Sequence, residues 1–422
     1  MPGTGELRRS LGVRDATAIG LGSMLGAGVF VVFAPAAALA GPWLLFAVVL
    51  AGAVAYANAV ASAQLASVYP ASGGSYVYGR KQLGQWPGFI AGWGFVTGKT
   101  ASCAAMALVF AGYLAPGFKI PVAIAAVVAL TVVNLFGITR TALLTRILLA
   151  LTLATLVFVL IACLLPYNQS VPAAASSATT ETLGSFWGIF PAAGLMFFAF
   201  AGYARIATLG EEVRDPARTI PKAILGALAG ALLLYLVITI ALSAHLGTAQ
   251  LAGSSAPLLT AVEHSPLSPA APIVQAGAAA ASLGALLALV TGVGRTSLAM
   301  AREGDLPKPL ARVSHRLAVP YVAEISVAVV VILLLLGGTT NSMIGFSSFG
   351  VLVYYAVTNL AAMTLSERPS WGPKWLNLVG LCGCVLLALT LPWQSSLGMT
   401  AVLLLGIAAR WVLRTVANLR NP

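Results

Sequence analysis

The heptapeptide Gly94-Phe95-Val96-Thr97-Gly98-Lys99-Thr100 ends like a phosphate-binding loop and sets one lysine in the middle of a long apolar run. A phosphate loop needs glycine five residues before its Gly-Lys pair and joins a strand to a helix. Position 93 is tryptophan and both flanks are apolar, so nucleotide chemistry is set aside. An ionised lysine in hydrocarbon costs at least about 2.5 kcal/mol, so Lys99 calls for a partner or a task. The acids that could pair with it are Glu211 and Glu212 at the end of the sixth apolar run, Glu324 at the end of the ninth, and Glu263 in a connection. None lies clearly at its depth.

Two other stretches carry chemistry through their backbone. Gly20, Gly22, Gly26 and Gly28 fall within nine positions of a helical run, where each costs about 1 kcal/mol against alanine. In the run Phe197-Phe198-Ala199-Phe200-Ala201-Gly202-Tyr203, polar residues arrive before the apolar segment should have ended. Each pattern predicts a helix broken near the middle of the membrane. Unwinding frees N–H and C=O groups that lipid cannot satisfy and a polar solute can. Amides opening the half-helix after Gly26 would attract a carboxylate, while carbonyls near Met24 and Ala201 would accept from an ammonium, so a zwitterion fits both. Close helix packing through Gly22 and Gly26 is the competing reading.

The elements that hold these groups follow from composition. Of 422 residues 59% are apolar and 8% charged, far from the quarter charged that is usual in soluble domains. Runs of about 20 apolar residues match the hydrocarbon thickness. Twelve are expected, at 16–39, 42–68, 88–113, 120–136, 143–165, 186–209, 222–246, 272–300, 320–337, 341–364, 376–393 and 396–416. The fold class is an all-α polytopic membrane protein. No β-barrel alternation is present. The polar start and interrupted first run predict no cleavable signal peptide.

Basic residues alternate between connections: Arg8, Arg9 and Arg14; Arg80 and Lys81; Arg140 and Arg146; Arg214, Arg218 and Lys222; Arg302, Lys308, Arg312 and Arg316; Arg368 and Lys374; Arg410, Arg414 and Arg420. The opposite connections hold only Lys119. This asymmetry predicts cytoplasmic termini in a plasma (inner) membrane and explains the +12 charge without nucleic acid. Connections near 165–185, 247–271 and 301–319 are too short for a soluble domain, and the Asn168-Gln169-Ser170 triplet receives no role. Cys103, Cys163, Cys382 and Cys384 form no CxxC pair, and His245, His264 and His315 are too scattered for a metal site. No cofactor, metal or catalytic set is expected, and an enzyme is not.

With these residues assembled, the chain resembles the amino acid–polyamine–organocation superfamily of transporters. GSMLGAGVF at 22–30 looks like its first-helix substrate loop, YPASGGSYVYGRKQLG at 69–84 like the loop after its second helix, and FFAFAGYARIATLGEEVRDPARTIPKAI at 197–224 like its sixth helix and following loop. MAREGDLPKPLARV at 300–313 resembles its loop after helix eight. The resemblance implies twelve transmembrane helices with a five-plus-five inverted repeat: a first repeat in 1–165, a second in 166–364, and two further helices with the C-terminus in 365–422.

It also implies alternating-access transport of amino acids or related amines, among which a charged Lys99 would favour neutral or acidic amino acids. A polyamine or cationic amine carrier, an exporter and an exchanger stay open. Carried over by position, the amides of Ala27 and Gly28 would bind the substrate carboxylate and the carbonyls of Met24 and Ala201 its amino group. Ser23, Gly26 and Gly202 border these breaks, Phe198 falls at an aromatic gate, and Phe200 and Tyr203 flank it. Lys99 would face the cavity with Gly98 and Cys103 beside it. It could attract an anionic group, release a proton in the cycle, or serve as a fixed internal cation. Two departures touch coupling: Ala204 and Arg205 stand where some relatives have an acid, and Thr152 stands where some proton-coupled relatives have lysine. Arg205 could instead snorkel or hold a loop carboxylate such as Glu211. A sodium site would need Thr291 with carbonyls near Gly22 and Leu25, and it ranks below proton coupling or exchange with a counter-substrate.

Overall fold

The computed structural model describes residues 9–71, 73–167, 184–314, 317–337, 339–367, 369 and 372–420. Arg8, His315, Arg316, Arg368 and the Asn168-Gln169-Ser170 triplet lie outside the described residues. Among the described residues every regular element is helical, and the single extended pairing is the bridge Leu11–Val213. There the Leu11 carbonyl accepts from the Arg214 amide at 2.8 Å, tying the start of the chain to the segment that follows the second predicted break.

The first predicted run becomes α1 (Val13–Met24), α2 (Ala27–Val31) and α3 (Phe33–Ala40). The gap between α1 and α2 falls at Leu25 and Gly26, inside the glycine-rich motif. The gap between α2 and α3 is a kink rather than a break, because Val32 keeps right-handed helical angles. Pro35 supplies its cause: it has no N–H for the Val31 carbonyl, and its ring crowds that group. Gly41, at φ 54, ends α3 before a 3-10 turn leads into α4 (Leu44–Val68).

The remaining helices are α5 (Ser75–Leu83), α6 (Gln85–Leu114), α7 (Lys119–Leu135), α8 (Ile138–Leu164), α9 (Ile189–Phe200) and α10 (Ala204–Ala207). They continue as α11 (Pro216–Gly253), α12 (Pro257–Glu263), α13 (Ala271–Arg302), α14 (Tyr321–Leu335), α15 (Thr340–Met363), α16 (Lys374–Thr390) and α17 (Trp393–Arg420). Two expected loops therefore contain helices, α5 and α12. The predicted seventh run extends past 246 to Gly253 by way of a kink at Gly247.

Among the described residues eight helical stretches are long and apolar enough to cross a bilayer, among them Gln85–Leu114, Pro216–Gly253 and Ser268–Arg302, and α7, α14 and α16 are shorter apolar helices. Twelve runs were expected. Three of the four missing runs are the short helices α7, α14 and α16, and the fourth is lost because α1 stops at its break and α3 joins α4 through the 3-10 turn into one 36-residue apolar stretch, Phe33–Val68.

Large apolar side chains such as Phe46, Val157, Leu233, Leu333 and Leu389 are exposed around the bundle, as lipid contact requires. The interior relies on small residues. A Cβ built on Gly94 would stand 3.2 Å from the Gly350 carbonyl oxygen, and one on Gly98 would stand 3.3 Å from that of Ser347, so α6 and α15 meet almost backbone to backbone.

The end of the bundle that carries the basic residues is clamped by Asp305, whose side chain is fully buried. It accepts from Tyr76 Oη at 2.8 Å, Arg80 Nη1 at 3.1 Å and Arg410 Nε at 2.9 Å. The Arg410 guanidinium also lies 4.6 Å from the ring centres of Trp86 and Phe89. These contacts join α5, the start of α6, the turn after α13 and the C-terminal half of α17.

Candidate functional site

The two predicted breaks lie against each other. The first is the Leu25–Gly26 gap; the second is tighter than a loop, a 3-10 turn at Ala201–Tyr203 between α9 and α10. Gly202 is required there by closeness. A Cβ on it would lie 2.5 Å from the Met24 nitrogen and 2.6 Å from the Ser23 oxygen, distances no side chain tolerates. Gly28 is nearly as confined, since a Cβ there would sit 3.2 Å from the Ala199 Cα.

Between the breaks lies a small cavity of about 10 Å³, space for roughly one water. Ser23, Met24, Gly28, Phe198 and Gly202 from the breaks border it together with Lys99. Ser102 and Met106 of α6, Ala199 of α9 and Leu289 of α13 complete its wall. Lys99 is 3% exposed and, among the described residues, has neither a hydrogen bond nor an ion pair. The Ser23 hydroxyl is likewise buried without a partner. Polar groups left unsatisfied in a closed interior are costly, and here they flank the same space.

Other expected residues point elsewhere. Gly26 packs towards Ala285 of α13, and Gly22 towards Thr145 of α8. At these two glycines the contact is the helix packing named above as the competing reading. Gly98 faces α15, Phe200 stands edge-on to Tyr235 with ring centres 4.9 Å apart, and Tyr203 lies 5.0 Å from Tyr355. Ala201 is buried, and its amide closes α9 onto the Phe197 carbonyl. Cys103, fully buried one helical turn from Lys99, is a titratable group close enough to act on it. The hydroxyls of Thr152 and Thr291 donate within their own helices, to Leu148 at 2.8 Å and Leu287 at 2.9 Å. Ala27 contributes backbone at the start of α2.

Tyr235 of α11, unmarked by the sequence, bridges the breaks. Its hydroxyl lies 2.5 Å from the Met24 carbonyl and 3.2 Å from that of Ala199. One of the carbonyls assigned to a substrate ammonium is thus already occupied on one lone pair by the protein itself. The second remains open.

Towards the basic face the interior is closed by a fully buried ion network. Arg295 of α13 holds Glu212 through Nη2 at 2.6 Å and also pairs with Glu324 of α14. Arg205 is 2% exposed; its Nη1 donates to Thr208 Oγ1 at 2.7 Å, and its Nη2 lies 3.9 Å from Glu212. Glu211 instead pairs with Arg302 at 3.1 Å; Arg205 does not snorkel, and the carboxylate beside it is the neighbouring Glu212. Towards the opposite face a vestibule of about 690 Å³ opens, with Val31, Val109, Tyr113, Lys119, Ser254 and Gln275 among its lining residues.

Residues 11–410 match the family described as amino acid permease. The chain belongs to the amino acid permease family. It is 52% identical over 415 residues to an uncharacterized transporter of Mycobacterium tuberculosis, spanning 98% of this chain and 93% of that protein. It is 26% identical over 440 residues to the branched-chain amino acid permease BcaP of Bacillus subtilis, covering 96% and 93% of the two chains. Against the Arabidopsis thaliana protein named cationic amino acid transporter 7, chloroplastic, the identity is 27% over 420 residues, covering 92% of this chain and 71% of the relative. Family membership and the apolar helices make this permease an integral, multi-pass membrane transporter of the amino acid–polyamine–organocation superfamily.

Sequence reasoning missed Arg295, Tyr235, Ser102, Met106 and Leu289. Arg295 had a signal, as an arginine inside an apolar run near its end. The two histidines His245 and His264, read as scattered, both lie against Tyr167, with ring centres 5.5 and 5.2 Å from it. Among the described residues no group of three or more histidine, cysteine or acidic side chains could hold a metal.

Proposed function

We propose that this permease is a secondary transporter that carries an amino acid by alternating access, with the substrate held between the two helix breaks. One observation carries this reading: two interrupted helices approach backbone to backbone at Gly202 and Gly28, beside a cavity that holds an unpartnered lysine. The substrate carboxylate would take the Ala27 and Gly28 amides, and its ammonium the open sides of the Met24 and Ala201 carbonyls. Phe198 would cover the site from the α9 side. A cavity of about 10 Å³ has to widen to accept an amino acid, and Met24 and Met106 in its wall are flexible enough to yield.

The outward vestibule and the inner ion network support one cycle. Substrate arrives from the Lys119 face, and release on the other face requires the Arg295 contacts to part. The proposal includes the twelve-span, five-plus-five arrangement with repeats in 1–165 and 166–364 and two further helices in 365–422, a plasma (inner) membrane location, and cytoplasmic termini. Drive comes from a proton or a counter-substrate. Relatives named for branched-chain and for cationic amino acids bracket the substrate class. A lone buried ammonium weighs against a cation and favours a neutral or acidic one.

The test is counterflow in proteoliposomes: vesicles loaded with one unlabelled amino acid should accumulate its labelled form from outside, saturably. If none of the standard amino acids or common polyamines exchanges, this reading fails.

A further inference from the structure

We infer that the substrate is a dicarboxylic amino acid, with its second carboxylate held by Lys99; this rests on the transporter reading above. Charge balance is the argument. Lys99 is a buried cation without a partner among the described residues, and the carboxylates inside the bundle are engaged elsewhere. Glu212 and Glu324 are both held by Arg295, and Asp305 by Arg80 and Arg410. Asp15 and Glu211 pair with Arg146 and Arg302, and Glu303 pairs with Arg80. A zwitterion adds no net charge and leaves the cavity with its uncompensated lysine. A dicarboxylic amino acid brings one negative charge and makes the loaded site neutral, which a low-dielectric interior favours strongly.

The vestibule supplies an independent observation. Among the described residues its lining contains one charged side chain, Lys119, and no carboxylate. This lysine is also the sole basic residue assigned to the outer connections. The vestibule is close to the cavity: Gly28 lines the cavity and Val31 the vestibule on α2, as do Met106 and Val109 on α6. Each pair is three residues apart, a rise of about 4.5 Å. The Lys119 ammonium lies beside Gly112, six residues along α6 from Met106 of the cavity wall, so an anion drawn in there is about 9 Å from the Lys99 space. The positive charge along this route attracts anions and repels cations.

The experiment compares glutamate with glutamine and aspartate with asparagine, pairs that differ in charge and hardly in shape. Binding is read by thermal shift on the full chain in detergent, and transport by counterflow. Wild type should bind the acid of each pair at least about tenfold more tightly than its amide. Lys99→Met should erase or reverse that ratio, and Lys99→Gln serves as a second, polar replacement. Lys119→Gln should keep the ratio at high salt and lose several-fold in uptake rate at low salt. Glutamine or leucine binding as tightly as glutamate in wild type, or a ratio unchanged by both Lys99 variants, overturns the inference. Counterflow of a neutral amino acid without glutamate sinks this inference and leaves the transporter reading standing, whereas absence of all counterflow removes both.

Discussion

Gly202→Ala tests the contact on which the site depends. The added methyl would meet the Ser23 carbonyl carbon, the Met24 nitrogen at 2.5 Å and the Ser23 oxygen at 2.6 Å. Ordinary contacts there need about 3.4 Å or more, and all three atoms are backbone, so no side chain can swing aside. The two breaks must separate by close to 1 Å. Overpacking of this kind costs about 1–3 kcal/mol. The displacement also falls on the groups proposed to hold substrate, so counterflow should slow by at least about tenfold, each factor of ten corresponding to 1.4 kcal/mol. Gly226→Ala is the control. Gly226 also lies in a helix, α11, but nothing lies within 4 Å of a Cβ there, and alanine should stabilise that helix by about 0.5–1 kcal/mol. The measurements are the melting midpoint in detergent and the initial counterflow rate in proteoliposomes. A Gly202→Ala protein with the midpoint and rate of wild type would refute the backbone contact and the site built on it.

Two further substitutions probe the supports of the site. Tyr235→Phe removes the hydroxyl that links Met24 and Ala199. Its single proton is shared between the two carbonyls, so the change should lower stability by roughly 1 kcal/mol, whereas the exposed Tyr56→Phe should change nothing in the same denaturation assay. Arg295→Met strands Glu212 and Glu324 in the interior and should cost about 3–5 kcal/mol. The double change Arg295→Met with Glu324→Gln, which leaves Arg205 beside Glu212 as a charge-balanced pair, should recover much of that loss, a rescue read from the same melting curves.

The sequence made the apolar runs, the glycine-rich break and the misplaced lysine legible because each departs from what a membrane helix ordinarily contains. It could not say which way neighbouring residues face. Gly98 and Lys99 are adjacent, yet a helix turns about 100° per residue, so one packs on α15 and the other borders the cavity. Ser102, Met106 and Leu289 were silent for the same reason: they are ordinary residues of apolar helices until a neighbouring helix defines their side. Tyr235 gained its part from two carbonyls more than thirty residues away in sequence, exposed only because both partner helices break. The second break was placed correctly along the chain but drawn too open. A 3-10 turn lets the chain re-enter helical geometry within three residues, and only glycine at its centre permits the close approach.

The Asp305 clamp has a mechanical consequence. One buried carboxylate binds arginines from α5 and α17, and Arg410 is stacked on the opening turn of α6. Segments far apart in sequence are thereby bolted into a single frame at one end of the bundle. In the alternating-access cycle proposed above, that end would behave as a stiff anvil, and the bending would fall on α1, α10 and the segment around Glu212. The last helix then acts as a brace: a protein shortened ahead of Arg410 would keep its binding residues and lose the rigid wall they work against.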